Sequence, residues 1–134
     1  MNGITEVRSD ALSPPRGSFS QAIKVPAGAE LLFVSGLTAR DREGATMGIG
    51  DIALQTETIL KNLRRLLADA GSSLAEVVKL TLFVCDLERS PEVYAVRAHY
   101  FEKPYPASSM VGITRLVSPD QLIEIEAIAV VSGS

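Results

Sequence analysis

With 134 residues, the chain is long enough to bury a hydrophobic core of its own, and we expect residues 1–134 to form a single domain. Its formal net charge is −3 and its lysines and arginines are scattered, so it lacks the positive surface that binds nucleic acid. No apolar run approaches the length of a membrane span, and residues 1–10 do not resemble a signal peptide. One cysteine cannot form an internal disulfide, so we expect a reduced, cytoplasmic location.

The hydrophobic content predicts an oligomer. Hydrophobic residues make up 46% of the chain, which is more than a small domain can easily bury by itself. A metal site is not expected, because His99 is the single histidine and Cys85 the single cysteine.

The first third of the chain predicts short strands separated by turns. Prolines and glycines make residues 1–17 irregular, and residues 19–25 alternate as a short strand does. The apolar run at 31–36 predicts a buried strand. The charged, glycine-rich loop that follows has room for a short third strand at 45–47.

The middle of the chain changes to helical periodicity. Asp51 is a good N-cap and Gly71 a good left-handed stop for a helix between them. Its apolar residues recur at helical spacing: Ile52, Ile59, Leu60, Leu63, Leu66, Leu67 and Ala70. Ser73 and Glu76 then form a capping-box pattern, but the apolar strand at 77–85 follows so soon that only one turn fits.

A second helix and two more strands complete the expected order ββ(β)αβαββ. Ser90 as cap and Pro91 at the first helical position begin the helix. Two helices on one face of a mixed sheet make an α+β sandwich and leave the other face uncovered. We expect that second face to be apolar and to pack against other subunits; its candidate residues are Leu82, Val84, Ile128 and Val130.

The last strand carries the most informative pattern, "LIEIEAIAVV". Its alternation puts Ile123 and Ile125 on one face and Glu124 and Glu126 on the other. We expect both glutamates to lie where the apolar contact between subunits gives way to a cleft.

Several ordered segments resemble the Rid/YjgF family of reactive-intermediate deaminases, some of which were first described as L-PSP endoribonucleases. These are "GSFSQAIKV", "LLFVSG", "VVKLTLFVCDL", "YPASSM" and "IEIEAIAV", which together span residues 17–131. The resemblance implies a chorismate-mutase-like fold and a homotrimer whose sheets face inward, with pockets between subunits. It also implies hydrolysis of 2-imino or 2-enamino acids to 2-keto acids and ammonia, without metal or organic cofactor.

The resemblance also implies which residues form the pocket. Glu124 matches the glutamate that positions water, Phe19 matches a tyrosine, and Tyr94 matches a polar residue on the second helix. Ser35 and Gly36 keep the small turn that admits the ligand, and Met110 replaces another pocket residue.

The carboxylate-binding arginine of the family is missing, which makes this chain an atypical member. In the family motif an arginine follows the Pro-Ala pair, and here Ser108 takes that place. A serine offers one neutral hydrogen bond where a guanidinium offers a charged, bidentate clamp. Either another cation enters the pocket, for which Arg16 is the best candidate, or the ligand is different, or the site does not catalyse. Branches similar to 2-aminomuconate deaminases carry a comparable Pro-Arg-Gly segment.

Three functions follow as hypotheses. The first is a cofactor-free hydrolase of an enamine or imine, with Glu124 orienting water. The second is a non-catalytic binder of a small metabolite at the same interface. The third, an RNA-cleaving or protein-protecting role, rests on family analogy, and the acidic charge argues against its nuclease form.

Overall fold

The computed structural model describes residues 3–133, which form two β-sheets and two α-helices. The smaller sheet pairs β1 (Thr5–Val7) with β2 (Ala22–Lys24) in antiparallel fashion. The prediction that residues 1–17 are irregular is therefore wrong at β1, while its first two residues lie outside the described part. The short alternating run Thr5–Val7 forms a strand because β2 supplies its hydrogen-bonding partner.

The main sheet has four strands in the order β3-β6-β4-β5. They are β3 (Glu30–Leu37), β4 (Val77–Val84), β5 (Ala107–Gly112) and β6 (Ile123–Val131). The pair β4 and β5 is parallel, and β6 runs antiparallel to both of its neighbours. The sheet is therefore mixed, as predicted, with β3 and β5 at its edges.

The first helix, α1 (Ile52–Asp69), has the ends that the sequence indicates. The side chain of Asp51 accepts a hydrogen bond from the backbone amide of Leu54 at 3.0 Å, and Gly71 adopts a φ of +81° after the helix. Its buried face points at the sheet, whereas Leu66, assigned to that face by spacing, is 43% exposed. As predicted, a single 3₁₀ turn, Leu74–Glu76, follows before β4.

The second helix, α2 (Ser90–Arg97), begins one residue earlier than predicted. Ser90 is its first residue and Arg89 its N-cap, because a 3₁₀ turn at Leu87–Arg89 leads directly into the helix. That turn is the element that a side chain caps: Asp86 accepts from the amide of Glu88 at 3.1 Å.

The two helices cover one face of the main sheet, which confirms the α+β architecture. Ile123 and Ile125 of β6 share the helix-facing side of the sheet, as their alternation predicts. Ala127 and Ala129 continue this face, and all four residues are at most 4% exposed. No helix within residues 3–133 combines the length and apolar character that a membrane crossing needs.

The predicted composition of the uncovered face is wrong for β4. Leu82 and Val84 pair with Ile125 and Ile123, so they point at the helices and are buried in the core. The uncovered face of β4 instead carries Lys79, Thr81 and Phe83, which are half-buried. Ile128 does lie on this open face, half-buried and paired with Phe33 and Lys79, whereas Val130 is already buried within the chain.

The loop between β3 and α1 contains no third strand. Only an isolated bridge between Arg40 and Thr46 forms near the predicted 45–47. The loop is held instead by the buried amide of Gln121, whose Oε1 accepts from the Ala39 amide at 2.9 Å and whose Nε2 donates to the Ala39 carbonyl at 2.8 Å. Because Gln121 lies just before β6, these bonds hold the segment that leads to Glu124 against the loop.

Candidate active site

Glu124 lies at the start of β6, on the open face of the main sheet. It pairs with Phe83 of β4 and is half-buried. Its carboxylate lies against Gly36 of β3: a Cβ atom on Gly36 would be only 2.6 Å from Cδ of Glu124. Any side chain at position 36 would displace the carboxylate of Glu124, so glycine is what lets this carboxylate lie against an exposed stretch of backbone.

The backbone around Ser35 and Gly36 is irregular. The register of β3 against β6 shifts between Val34 and Leu37, which places Ser35 and Gly36 in a bulge. Both residues are exposed. Ser35 also lines a depression of ≈ 390 Å³ on the open face, together with Lys79, Thr81 and Glu126. The open face thus brings together Ser35, Gly36 and Glu124, whose roles in binding and catalysis remain predictions.

Ser108 points to the other side of the sheet. It pairs in β5 with Leu80, a core residue that is 1% exposed, so its side chain faces the helices. Its Oγ accepts a hydrogen bond from Nη1 of Arg97 at 3.1 Å. A guanidinium therefore lies beside the residue that replaces the family arginine, and it comes from α2.

Arg97 is the functional candidate that the sequence analysis missed. It is the last residue of α2 and only 1% exposed. Nη2 donates to the Ser18 carbonyl at 3.0 Å, and the guanidinium carbon lies 5.5 Å from the centroid of the Tyr94 ring. Burial lowers the pKa of Arg97, and Tyr94 opposes this shift to a smaller extent. One signal was present: Arg97 follows the buried Val93 by four residues and so shares its helix face.

Phe19 and Tyr94 converge near Gly17. A Cβ atom on Gly17 would lie 3.1 Å from Cε1 of Tyr94 and 3.4 Å from Cε1 of Phe19. Phe19 also lines a depression of ≈ 160 Å³ with Lys103 and Tyr105. Both aromatic side chains therefore belong to the neighbourhood of Arg97, on the side of the sheet that Ser108 faces.

Arg16 and Met110 have different surroundings from those expected. Arg16 is exposed on the segment before Gly17, and the guanidinium that reaches Ser108 is that of Arg97. Met110 pairs with Leu82 and packs against the hydrophobic core, so its side chain contributes to the core on the helix side of the sheet. Their predicted roles in binding substrate remain predictions.

Comparison with known proteins places the chain in a family. A family model described as endoribonuclease L-PSP matches residues 10–131. A RutC family protein of Pyrococcus abyssi is 40% identical over 115 residues, covering 86% of this chain and 87% of that protein. The chain belongs to the Rid/YjgF family.

Two further relatives of this Rid/YjgF protein bear on its site and its fold. The 3-aminoacrylate deaminase RutC of Acinetobacter baylyi is 34% identical over 116 residues, covering 87% of this chain and 89% of the relative. The crystal structure of YyfB, a Rid family protein of unknown function from Yersinia pestis, superposes with a TM-score of 0.88 at 30% identity. That match covers 97% of this chain and 99% of YyfB.

In this Rid/YjgF chain the candidate residues form two clusters on opposite faces of the sheet. Glu124, Gly36 and Ser35 lie on the open face. Ser108 and Arg97 lie on the helix side, with Phe19 and Tyr94 near them. One chain therefore does not present both clusters to one small ligand. Within the described residues no group of three or more His, Cys, Asp or Glu side chains could hold a metal ion.

Proposed function

We propose that this protein is a cofactor-free deaminase that hydrolyses a small enamine or imine, with a specificity that differs from that of arginine-bearing relatives. The observation that carries the proposal is the carboxylate of Glu124 held against the bare backbone of Gly36. The name of one relative, 3-aminoacrylate deaminase, supports the same reaction class.

The proposed reaction needs little from the protein. A protonated imine carbon is electrophilic, so the site must hold the substrate, place a water molecule beside that carbon and accept a proton from the water. Addition of water forms a C–O bond, and the C–N bond then breaks to give a carbonyl compound and ammonia. Glu124 would orient the water and accept its proton, while the exposed backbone at Ser35 and Gly36 would bind the substrate.

We further propose that the site is shared between neighbouring chains of a trimer. Glu124 and Ser108 lie on opposite faces of one sheet, so a ligand that contacts both must take them from different subunits. The open face also exposes Phe33 by 70%, an unfavourable arrangement for an isolated chain in water. The single cysteine fits a cytoplasmic location.

The absence of the family arginine favours one alternative, a trimer that binds a small metabolite without converting it. The guanidinium of Arg97 donates to Ser108, so positive charge remains near the position of the family arginine. This guanidinium is buried, however, and cannot bind a carboxylate in the bidentate way of an exposed arginine. The alternative predicts binding without release of ammonia. The net charge of −3 argues against RNA as the ligand.

The experiment measures ammonia release from 3-aminoacrylate and from 2-iminopropanoate and 2-iminobutanoate generated in the assay. We expect slow turnover of the 2-imino acids, because Ser108 and Phe19 replace two polar contacts of the family. Glu124→Gln should reduce turnover by about 100-fold or more, the contribution of a positioned base. Glu126→Gln is the matched control on the same face and should change the rate little. Equal activity of Glu124→Gln and the wild type would refute the proposal.

A further inference from the structure

Arg97 is a buried cation that has no carboxylate partner among residues 3–133. The described residues contain three ion pairs within 4 Å: Glu57 with Lys61, Arg65 with Asp69, and Arg89 with Glu92. None of them includes Arg97, and each leaves its side chains partly in solvent. The Nε atom of Arg97 is also buried without a hydrogen-bond partner among residues 3–133.

Such an arrangement is unfavourable unless something compensates for the charge. Buried charged groups in proteins are normally paired, because desolvation of a lone ion is costly. Arginine does not relieve that cost by losing its proton, since its pKa lies far above physiological pH. Two neutral acceptors, the Ser18 carbonyl and the Ser108 hydroxyl, and the face of Tyr94 offset the charge only partly. The neighbourhood of Arg97 therefore favours an anion.

An anion could interact with the positive charge of Arg97 through the hydroxyl group of Ser108. Its oxygen accepts from Nη1 of Arg97, so its own O–H proton remains available for donation. Ser108 is half-buried, unlike Arg97, and is thus the member of the pair that a ligand can reach. A hydroxyl that accepts from a guanidinium is polarised and becomes a stronger donor.

We propose that Arg97 is a positioning residue that acts through Ser108: the Ser108 hydroxyl donates to the carboxylate of a small acid, and Arg97 behind it supplies the positive charge. The pair replaces the arginine of the family motif with a guanidinium from α2 and a hydroxyl from β5. This inference rests on the proposed function only in naming the ligand as the substrate carboxylate. It assigns the role of the anion clamp to Arg97 instead of Arg16.

The first test compares binding of 2-oxobutanoate with binding of its neutral amide, 2-oxobutanamide, by calorimetry. The wild type should prefer the carboxylate, and Arg97→Met should reduce that preference by about tenfold or more, as expected for a charge about 6 Å away in a partly desolvated site. Arg97→Lys should retain part of the preference. Arg42→Met is the matched control, an exposed arginine in the loop between β3 and α1, and should leave the preference unchanged. Arg16→Met tests the competing assignment of the clamp to Arg16, and a loss of the preference in that variant would contradict this inference.

The preference for carboxylate over amide separates an electrostatic role from a merely structural one. Loss of packing around α2 would weaken both ligands alike, whereas loss of the charge weakens only the carboxylate. A folded Arg97→Met protein with the wild-type preference would overturn the inference, and so would a wild type that binds the carboxylate no better than the amide.

The second test does not require Arg97 to be removed. Ser108→Asp would place a carboxylate beside the guanidinium and so supply the missing counterion from within the chain. We expect this variant to raise Tm by about 3 °C or more and to abolish the preference for 2-oxobutanoate, while the neutral Ser108→Asn raises Tm less. A Ser108→Asp protein that is no more stable than Ser108→Asn and still prefers the carboxylate would overturn the inference.

The two proposals fail in different assays. Carboxylate binding that depends on Arg97, together with no ammonia release from any imine, would support this inference and refute the deaminase. Ammonia release that depends on Glu124 but not on Arg97 would support the deaminase and refute this inference.

Discussion

The carboxylate of Glu124 lies so close to the backbone of Gly36 that it leaves no room for a methyl group on that residue. A Cβ atom on Gly36 would lie 2.6 Å from Cδ and 3.0 Å from Cγ of Glu124, closer than atoms on neighbouring strands ordinarily approach. The φ of Gly36 is not positive, so the backbone conformation alone does not require glycine there. The constraint comes from the carboxylate of Glu124 on the adjacent strand, which a side chain at position 36 would displace.

The first prediction follows from this contact. Gly36→Ala should displace the carboxylate of Glu124, destabilise the protein by only about 1 kcal/mol and reduce any deaminase activity by at least about tenfold. Urea denaturation and the ammonia assay measure the two effects.

A double-mutant cycle tests the cause. In a Glu124→Ala background the added methyl group has room, so Gly36→Ala should become nearly neutral for stability. An unchanged destabilisation in that background would show that the alanine disturbs β3 for some other reason.

The second prediction concerns restoration of the family arginine. Ser108→Arg alone would bring a second guanidinium next to Arg97, and repulsion between two partly buried cations should destabilise the protein. Ser108→Arg combined with Arg97→Leu removes the conflict and should bind 2-oxobutanoate more tightly than Ser108→Arg alone. Calorimetry and thermal unfolding measure both variants. Equal stability of Ser108→Arg and the wild type would contradict this account.

The third prediction concerns assembly. Phe33 is 70% exposed on the open face, and burying it between subunits should contribute roughly 1.5 to 3 kcal/mol per chain. Phe33→Asp should therefore shift a trimer toward monomers in light scattering at micromolar concentration. Val117→Asp is the matched control, because Val117 is 94% exposed in the loop before β6. A wild type that is monomeric at this concentration would contradict the shared site itself.

The fourth prediction concerns Gln121, whose side chain holds the segment that leads to Glu124. Gln121→Ala would leave the amide and carbonyl of Ala39 without their side-chain partner and should destabilise the protein by about 3 kcal/mol. Hydrogen exchange should increase in the loop between β3 and α1. Gln21→Ala removes a glutamine whose bonds are solvent-exposed and should have a smaller effect. Equal effects of the two substitutions would argue against the bracing role of Gln121.

Local sequence signals predicted the elements that depend on local chemistry. The cap at Asp51, the stop at Gly71 and the alternation of β6 are each determined by neighbours in sequence, and the structure confirms them. Local sequence could not predict which side chains of β4 face the helices. Its run "VVKLTLFV" is apolar at most positions, so alternation does not show that Leu82 and Val84 face the helices; pairing with β6 decides it.

The candidate site shows the same division. The motif match led to Glu124 and Gly36, and the structure brings these two residues into contact. Arg97 was missed because an arginine near the end of a helix is usually solvated and favourable to the helix dipole. In the fold, Arg97 is buried beside Ser18 and Ser108, with which it forms hydrogen bonds. Both residues lie outside its helix, so no local sequence pattern predicts these contacts.

The placement of Glu124 and Ser108 on opposite faces of one sheet has a genetic consequence if each site takes one residue from each of two chains. A chain substituted at Glu124 still has an intact Ser108 half of the site, and a chain substituted at Ser108 still has an intact Glu124 half. When the two defective chains are co-expressed, mixed trimers contain interfaces at which both intact halves meet. Two inactive alleles of this protein would then complement each other within one cell, whereas two alleles that damage the same half would not.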